Sequence, residues 1–568
     1  MRKNRLKVLS MLMCVLMSFV ALVSGVGCGG GGGEKVDNSK SQLYVGIYGG
    51  GYGTAYMEDL KVRFEEYAKE MEFEPGRKGV QIFYQEDKDK YKAGTLVDTI
   101  SYDTNDMFHV TGDELEKFLA GDKILEITDV VTTLLTEFGE TRSIADKLGA
   151  EMVAHHNVDG KYYTMPFAES SLGIIYDVDV FEENQLYIAK NGAPSEAKQQ
   201  GGSYSGYKWV GATGERSAGP DGKYETEYDN GFPATLEEFE ELIERMKKSN
   251  VDSIIWTGQY ADTYTSFVPQ AFHVNYHGLE EAKILYDGGG ANGRETSLIT
   301  GWNGTEPIIT KVNVKMNNIE DLAKQAGYYY GLKMYEIMLK SDTVSKDAFV
   351  DLSHVRTQET FLASTFEADR PIAMMIDGTW WESEAESSGA FADLVDTYGD
   401  VASRTSRRFG FFPMPKATLA QVGQKNTIRG GGGTILIKNN ISEEKANLAK
   451  TFLRFSLTDE SLRRFTLNTS LPTPFKYEML ESDFNSMSFF AKNFWETYRN
   501  SDIFYEYKAK DLVENDRYDH VLDTIKYQTS QGYALFPDAI KFPEPGKDPV
   551  TAEIYFKGIY EEAKATIG

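Results

Sequence analysis

From Leu43 onward, the period of apolar and polar positions changes within a few residues. "QLYVGIYGGGYGTAYMEDLKVRFEEYAKE" opens with a β-rich run, Leu43 to Tyr48, breaks at a glycine loop, and resumes with Leu60, Phe64 and Tyr67 at helical spacing. Strand, glycine loop and helix make the opening unit of an α/β domain. "TNDMFHVTGDELEKFLAGDKILEIT" predicts a short buried strand, a turn at Gly112 and a helix from Asp113. "DGKYYTMPFAESSLGIIYDVDVFEEN" predicts two β-rich runs around Pro166. In "FPATLEEFEELIERMKKSN", Thr235 and Glu238 are spaced as a capping box, and Leu236, Phe239, Leu242, Ile243 and Met246 form one apolar stripe. Lys247 and Lys248 close that helix at the negative end of its dipole. "RGGGGTILIKNNISEEKANLAKTFLRFSLTDE" predicts a glycine hinge, a strand, and helices beginning near Ser442 and Thr458. Residues 187–232 carry Gly, Ser, Tyr and charge without periodicity and are expected to form a surface insertion.

The first residues break this pattern. "MRKNRLK" is basic and leads into an apolar stretch with a small-residue exit, the order of a secretory signal peptide. A transmembrane anchor is the alternative, since the run approaches the roughly 20 residues that span a bilayer. "SGVGCGGGGGEKVDNSK" follows, and it resembles the lipobox of bacterial lipoproteins on Gly27 and Cys28, departing from it at Gly25, where leucine is usual. The resemblance implies cleavage after residue 27, lipidation of Cys28, and a flexible tether over 28–40. Two acyl chains on one cysteine supply the double signal that stable anchoring requires.

Composition narrows the classes further. The chain has two cysteines, Cys14 and Cys28, so a processed body has no thiol for a disulfide and is held by its core alone. Losing Arg2, Lys3, Arg5 and Lys7 with the leader takes the net charge from −26 to −30, which repels nucleic acid. "GGGYG" lacks the Gly-Lys-Ser/Thr of a P-loop and is a weak dinucleotide signal. "HVNYH" places His273 and His277 four apart, but Val274 stands where a zincin needs Glu, so no metal or other cofactor is expected. No Gly-x-Ser-x-Gly elbow is present, and a glycosidase carboxylate pair among 86 acidic residues is a matter for the fold.

One stretch stands apart. "IDGTWW", Ile376 to Trp381, sets two of the six tryptophans side by side. Adjacent side chains of a strand point to opposite faces, so the pair cannot share one core. One ring on the surface and one in the core is the plain reading; an aromatic platform for a ligand is the sharper one.

Taken in order, the opening strand and loop, "YTMPFAESSLGIIYDVDVFEEN", "FPATLEEFEELIERM", "RPIAMMIDGTWW" with "FGFFPMPK", and "GGGGTILIKNNISEEKANLAKTFLRFSLTDE" resemble the solute-binding lipoproteins of ATP-binding-cassette importers, in the maltodextrin-binding-like branch. The resemblance implies an α/β, two-lobed periplasmic-binding-protein-like fold (type II), with hinge crossovers and a ligand cleft. It puts the first lobe at 41–167 and 433–472 and the second at 168–432 and 473–568. By the same resemblance Gly378 and Trp380 stand where sugar-binding relatives set an indole against ligand, with Trp381 beside them at the rim or in packing. Tyr52, Asp113, Glu169, Ser170 and Tyr264 are the further expected ligand contacts. The implied function is capture of an extracellular solute, with an oligosaccharide expected from the aromatic cleft positions, and its delivery to permease subunits by a lipid-anchored, extracytoplasmic monomer that is not an enzyme. The competing class is a surface lipoprotein acting on polysaccharide as an enzyme or adhesin.

Overall fold

The computed structural model describes residues 35–192, 207–507, 526–530 and 532–567. The leader, Cys28, most of the tether and part of the 187–232 insertion lie outside them. Along the chain come β1 (Ser41–Ile47), α1 (Ala55–Tyr67), β2 (Val80–Glu86), β3 (Met107–Thr111), α2 (Ala150–His156) and β4 (Thr164–Pro166). Next are β5 (Ser170–Asp177), α3 (Leu236–Lys248), α4 (Ala261–Ala282), β6 (Met374–Gly378), α5 (Trp381–Ser387), β7 (Phe409–Phe411) and β8 (Thr427–Gly431). Then follow β9 (Gly433–Ile437), α6 (Glu443–Ser456), α7 (Asp459–Thr469), α8 (Phe489–Asn500) and β10 (Asp502–Tyr505).

Two sheets organise these elements. The first has the order β2-β1-β3-β9-β4, with β1 parallel to both neighbours and β9 antiparallel to β3 and β4. The second runs β6-β5-β8-β10, with β7 also paired to β5. The chain therefore changes sheet between Pro166 and Ser170, again between Gly431 and Gly433, and a third time on its way from β9 to β10. At the second change Cβ atoms on Gly432 and Gly433 would run into the Ala168 carbonyl oxygen and the Phe167 ring, so glycine lets the two crossover strands touch.

Each sheet has its own apolar core. Val45, Ile82 and Ile435 join Phe64 of α1 and Phe452 of α6 in one; Ile175, Met375 and Phe411 join Phe239 of α3 and Phe272 of α4 in the other. The stripe expected on α3 is buried at all five positions, and Thr235 Oγ1 accepts the Glu238 N–H at 3.3 Å as its cap. The Glu238 carboxylate accepts from Ala234 N–H at 2.7 Å, one residue short of a closed capping box. Ser442 and Thr458 cap α6 and α7 in the same way. Residue 472 is not a clean division, because α8 serves both cores: Phe490 and Phe494 enter the second, Ala491 and Trp495 the first. The described parts of the 187–232 segment do not merely lie on the surface, since Tyr187 and Phe232 are buried in the second core.

Candidate functional site

The Gly-x-Trp segment sits at the turn from β6 into α5. Thr379 prolongs the strand pairing, its N–H donating to the Ser171 carbonyl and its Oγ1 accepting from Ser171 N–H, both at 3.0 Å. The chain then turns into a helix, and the turn separates the two tryptophans. Trp380 is partly exposed and its six-membered ring lies over Gly378, where any Cβ would strike it. Its Cδ1 edge meets Gly51 of the β1–α1 loop, where a Cβ would stand 2.6 Å away. Gly51 has φ +42°, so this loop conformation also favours glycine. Trp380 thus bridges the gap between the two sheets with part of its indole open to solvent.

Around it is a set of polar groups. Gln358 Nε2 donates to Asp377 Oδ2 at 3.1 Å and to Glu384 Oε2 at 2.9 Å, joining two carboxyls that flank the tryptophans in sequence. His354 Nε2 lies 3.5 Å from Glu384 Oε1. Burial, reinforced by the Glu384 charge, raises the Asp377 pKa to about 8, so this carboxyl keeps its proton at neutral pH. Burial also holds the Tyr264 hydroxyl pKa far above its ordinary value, and Asp377, Glu384 and Tyr48 push the same way. Tyr48 belongs to the opposite side, directly before the glycine loop. The structure therefore brings Gly378, Trp380 and Tyr264 together with Tyr48, Asp377, Glu384, Gln358 and His354. A half-open indole beside hydroxyl, carboxyl and amide groups can bury an apolar ring face while meeting hydroxyls at its rim.

Other expected contacts lie elsewhere. Trp381 is fully buried, packed among Phe361, Phe391, Phe409 and Phe490, with ring centroids 4.9 to 6.4 Å away. It is a core residue and not a ligand contact, because the turn points it into the second core. Tyr52 is likewise turned inward, against Tyr48, Tyr56 and Phe167. Glu169 is 1% exposed, and its oxygens accept Gly431 N–H at 3.0 Å and pair with Tyr505 Oη at 2.6 Å. Ser170 Oγ donates to the Gly431 carbonyl at 2.7 Å. Both residues tie one crossover to another; Glu169 is buried in doing so, whereas Ser170 keeps part of its surface exposed. Asp113 has both oxygens engaged, one by Leu115 N–H at 3.0 Å and the other by His155 Nε2. Burial opposes its ionisation, but the His155 hydrogen bond and charge outweigh that and hold the carboxyl below its ordinary pKa. His155 in turn stacks on Tyr507, centroids 3.4 Å apart.

Sequence reasoning missed Tyr48, Asp377, Glu384, Gln358 and His354. The first three were within reach, since Tyr48 opens the glycine loop and the two acids bracket the Trp pair in "IDGTWWESEAE". Beside α5 lies a second groove of about 460 Å³, lined by residues including Phe391, Arg404, Leu467, Ser470 and Met487, none of them an expected contact. Among the described residues no three His, Cys, Asp or Glu side chains are grouped to hold a metal ion. His273 and His277 are hydrogen-bonded, to Gln325 and to Glu281 and Gly327 N–H.

Two α/β bodies joined by crossovers, with polar and aromatic groups converging between them, define a two-lobed solute-binding protein. The chain belongs to the family described as bacterial extracellular solute-binding protein, whose model matches residues 76–488. Membership places it outside the cytoplasm and makes binding its activity; among the described residues no helix is long and apolar enough to cross a membrane. The fold resembles the apo form of RafE from Streptococcus pneumoniae (12% identity, 94% of this chain and 99% of that chain covered, TM-score 0.52). It also resembles maltose-bound MalE3 of T. maritima (12%, 92% and 99%, 0.50) and a chitin oligosaccharide binding protein (14%, 90% and 94%, 0.50). No curated protein matches it by sequence.

Proposed function

We propose that the cleft takes an oligosaccharide and that the loaded protein delivers it to the permease of an ATP-binding-cassette importer. The observation that carries this reading is the Trp380 indole, partly exposed between Gly51 and Gly378, in the same segment as the Asp377 and Glu384 carboxyls that act with Tyr48 on the Tyr264 hydroxyl. A sugar ring has a face of C–H groups and a rim of hydroxyls, so it matches both halves of that surface. The maltose-bound MalE3 and the raffinose complex of RafE, which share the fold, make sugars the first class to test. On this reading a diacylglyceryl group on Cys28 holds the protein at the outer face of the cell membrane, 41–167 and 433–472 move as one lobe, and the working form is a monomer. A ligand bound only by the folded state raises its melting temperature by mass action, so a thermal-shift screen over mono- and oligosaccharides tests the proposal. Stabilisation by one oligosaccharide series supports it. Stabilisation by peptides or other solutes, with none from any sugar, overturns the ligand class.

A further inference from the structure

Glu169 occupies the point where three chain crossovers meet. Its own segment joins β4 to β5; its carboxyl group accepts the Gly431 N–H of the second crossover; and its backbone N–H donates to the Pro472 carbonyl beyond α7 at 3.0 Å. A fourth link runs from its second oxygen to Tyr505 at the end of β10, at 2.6 Å. Gly430 leaves room for it, since a Cβ there would stand 2.6 Å from Glu169 Oε1. The groups facing the carboxyl are uncharged at neutral pH: Tyr505, Tyr498 of α8, Tyr507 and the Gly431 peptide. The ionisable groups next to this shell are already paired with each other, Arg429 with Glu506, Asp113 with His155 and Glu151 with Lys283. Among the described residues no cation pairs with Glu169.

We propose that Glu169 is the positioning residue of lobe closure: protonated, it locks the three crossovers in the arrangement seen here, and ionised, it releases them. The inference rests on the reading that the lobes move about these crossovers. A neutral Glu169 can donate through Oε2 to the Tyr505 oxygen while Oε1 accepts from Gly431, which satisfies the buried group. An ionised Glu169 must accept from both and remains a buried charge without a counterion, which favours any motion that admits water. Burial raises its pKa to about 8, opposed by the Tyr505 and Gly431 hydrogen bonds, so the change falls in an accessible range.

The test reads the hinge without a ligand, so its failure is separate from a failure of the sugar assignment. Spin labels are placed on Val62→Cys of α1 and Val401→Cys, which are 65% and 62% exposed, in the full chain with Cys14 and Cys28 changed to Ser. The interlobe distance distribution is recorded from pH 6.5 to 9.5. The expected result is a shift to longer and broader distances with a midpoint near pH 8, absent in Glu169→Gln, which keeps the neutral-pH distribution throughout. Glu169→Ala should be broad at every pH. Tyr505→Phe, which removes the hydroxyl that Glu169 holds in both forms, should broaden the distribution already at neutral pH. A wild-type distribution that ignores pH, a Glu169→Gln chain that titrates like wild type, or a Tyr505→Phe chain as narrow as wild type at neutral pH overturns the proposal.

Discussion

Replacing each tryptophan of the 380–381 pair by alanine should produce opposite effects on stability and binding. Trp381 has no exposed surface and is packed against four phenylalanine rings, so Trp381→Ala removes a complete core side chain. Truncations of this kind cost about 3–5 kcal/mol, because neighbouring groups only partly collapse into the cavity. For a lobe of this size that lowers the melting temperature by roughly 4–7 °C. Trp380 is partly exposed, with one face on Gly378 and an edge on Gly51, so part of its surface has already been left in water. Trp380→Ala should therefore cost the fold much less, while removing a platform of up to about 200 Å² from the ligand. An aromatic hot spot of that kind is worth about 2 kcal/mol, close to a thirtyfold loss of affinity. Calorimetric titration with the sugar returned by the screen, paired with thermal melts of both variants, reads the two quantities together. If Trp380→Ala binds at wild-type affinity yet melts early, the platform reasoning is wrong and the ring is a packing residue.

Three further outcomes are expected. Cys28→Ser should leave unprocessed precursor or shed soluble protein; a variant that is cleaved yet stays tightly membrane-bound would exclude lipid anchoring. Saturating ligand should reduce the radius of gyration in solution scattering, and an unchanged radius with a tightly bound ligand would argue against hinge closure. Stability should fall as pH rises from about 6.5 to 8: Glu169, Asp229 and Asp377 have pKa values of about 8, mainly through burial, whereas unfolded carboxyls ionise near 4, so the native state holds the extra protons. The slope is at most about 1.4 kcal/mol per pH unit for each proton, and buried His109 and His156, lowered to about 3 and 4, oppose it only below the ordinary histidine range. Melting temperatures that hold steady or rise across that window would contradict the assignment.

The helices were legible where one face alone is buried, as the α3 stripe from Leu236 to Met246 illustrates. The strand–loop–helix opening was legible because glycine breaks the pattern between β1 and α1. α8 was harder, since its apolar residues feed two cores and present no single stripe. The tryptophan pair gave no orientation, because the turn after Gly378 follows neither strand nor helix period. Glu169 was expected to face ligand but is buried among the crossovers: nearness to a crossover in sequence does not say whether a side chain faces the cleft or the hinge. Tyr52 was misplaced for a related reason, since a glycine loop can turn a side chain to either side. Asp377 and Glu384 were hidden by composition, as acids in an acidic chain read as a solvated face until Gln358 is seen to join them.

The most direct measurement is a crystal structure of the protein with its preferred oligosaccharide bound. The account predicts a sugar ring lying on the exposed part of the Trp380 indole at van der Waals distance, about 4 Å, with hydroxyls bonded among Tyr48, Tyr264 and Glu384. A saccharide seated in the groove beside Arg404 and Ser470, with Trp380 still resting on Gly51 and out of contact, would contradict it.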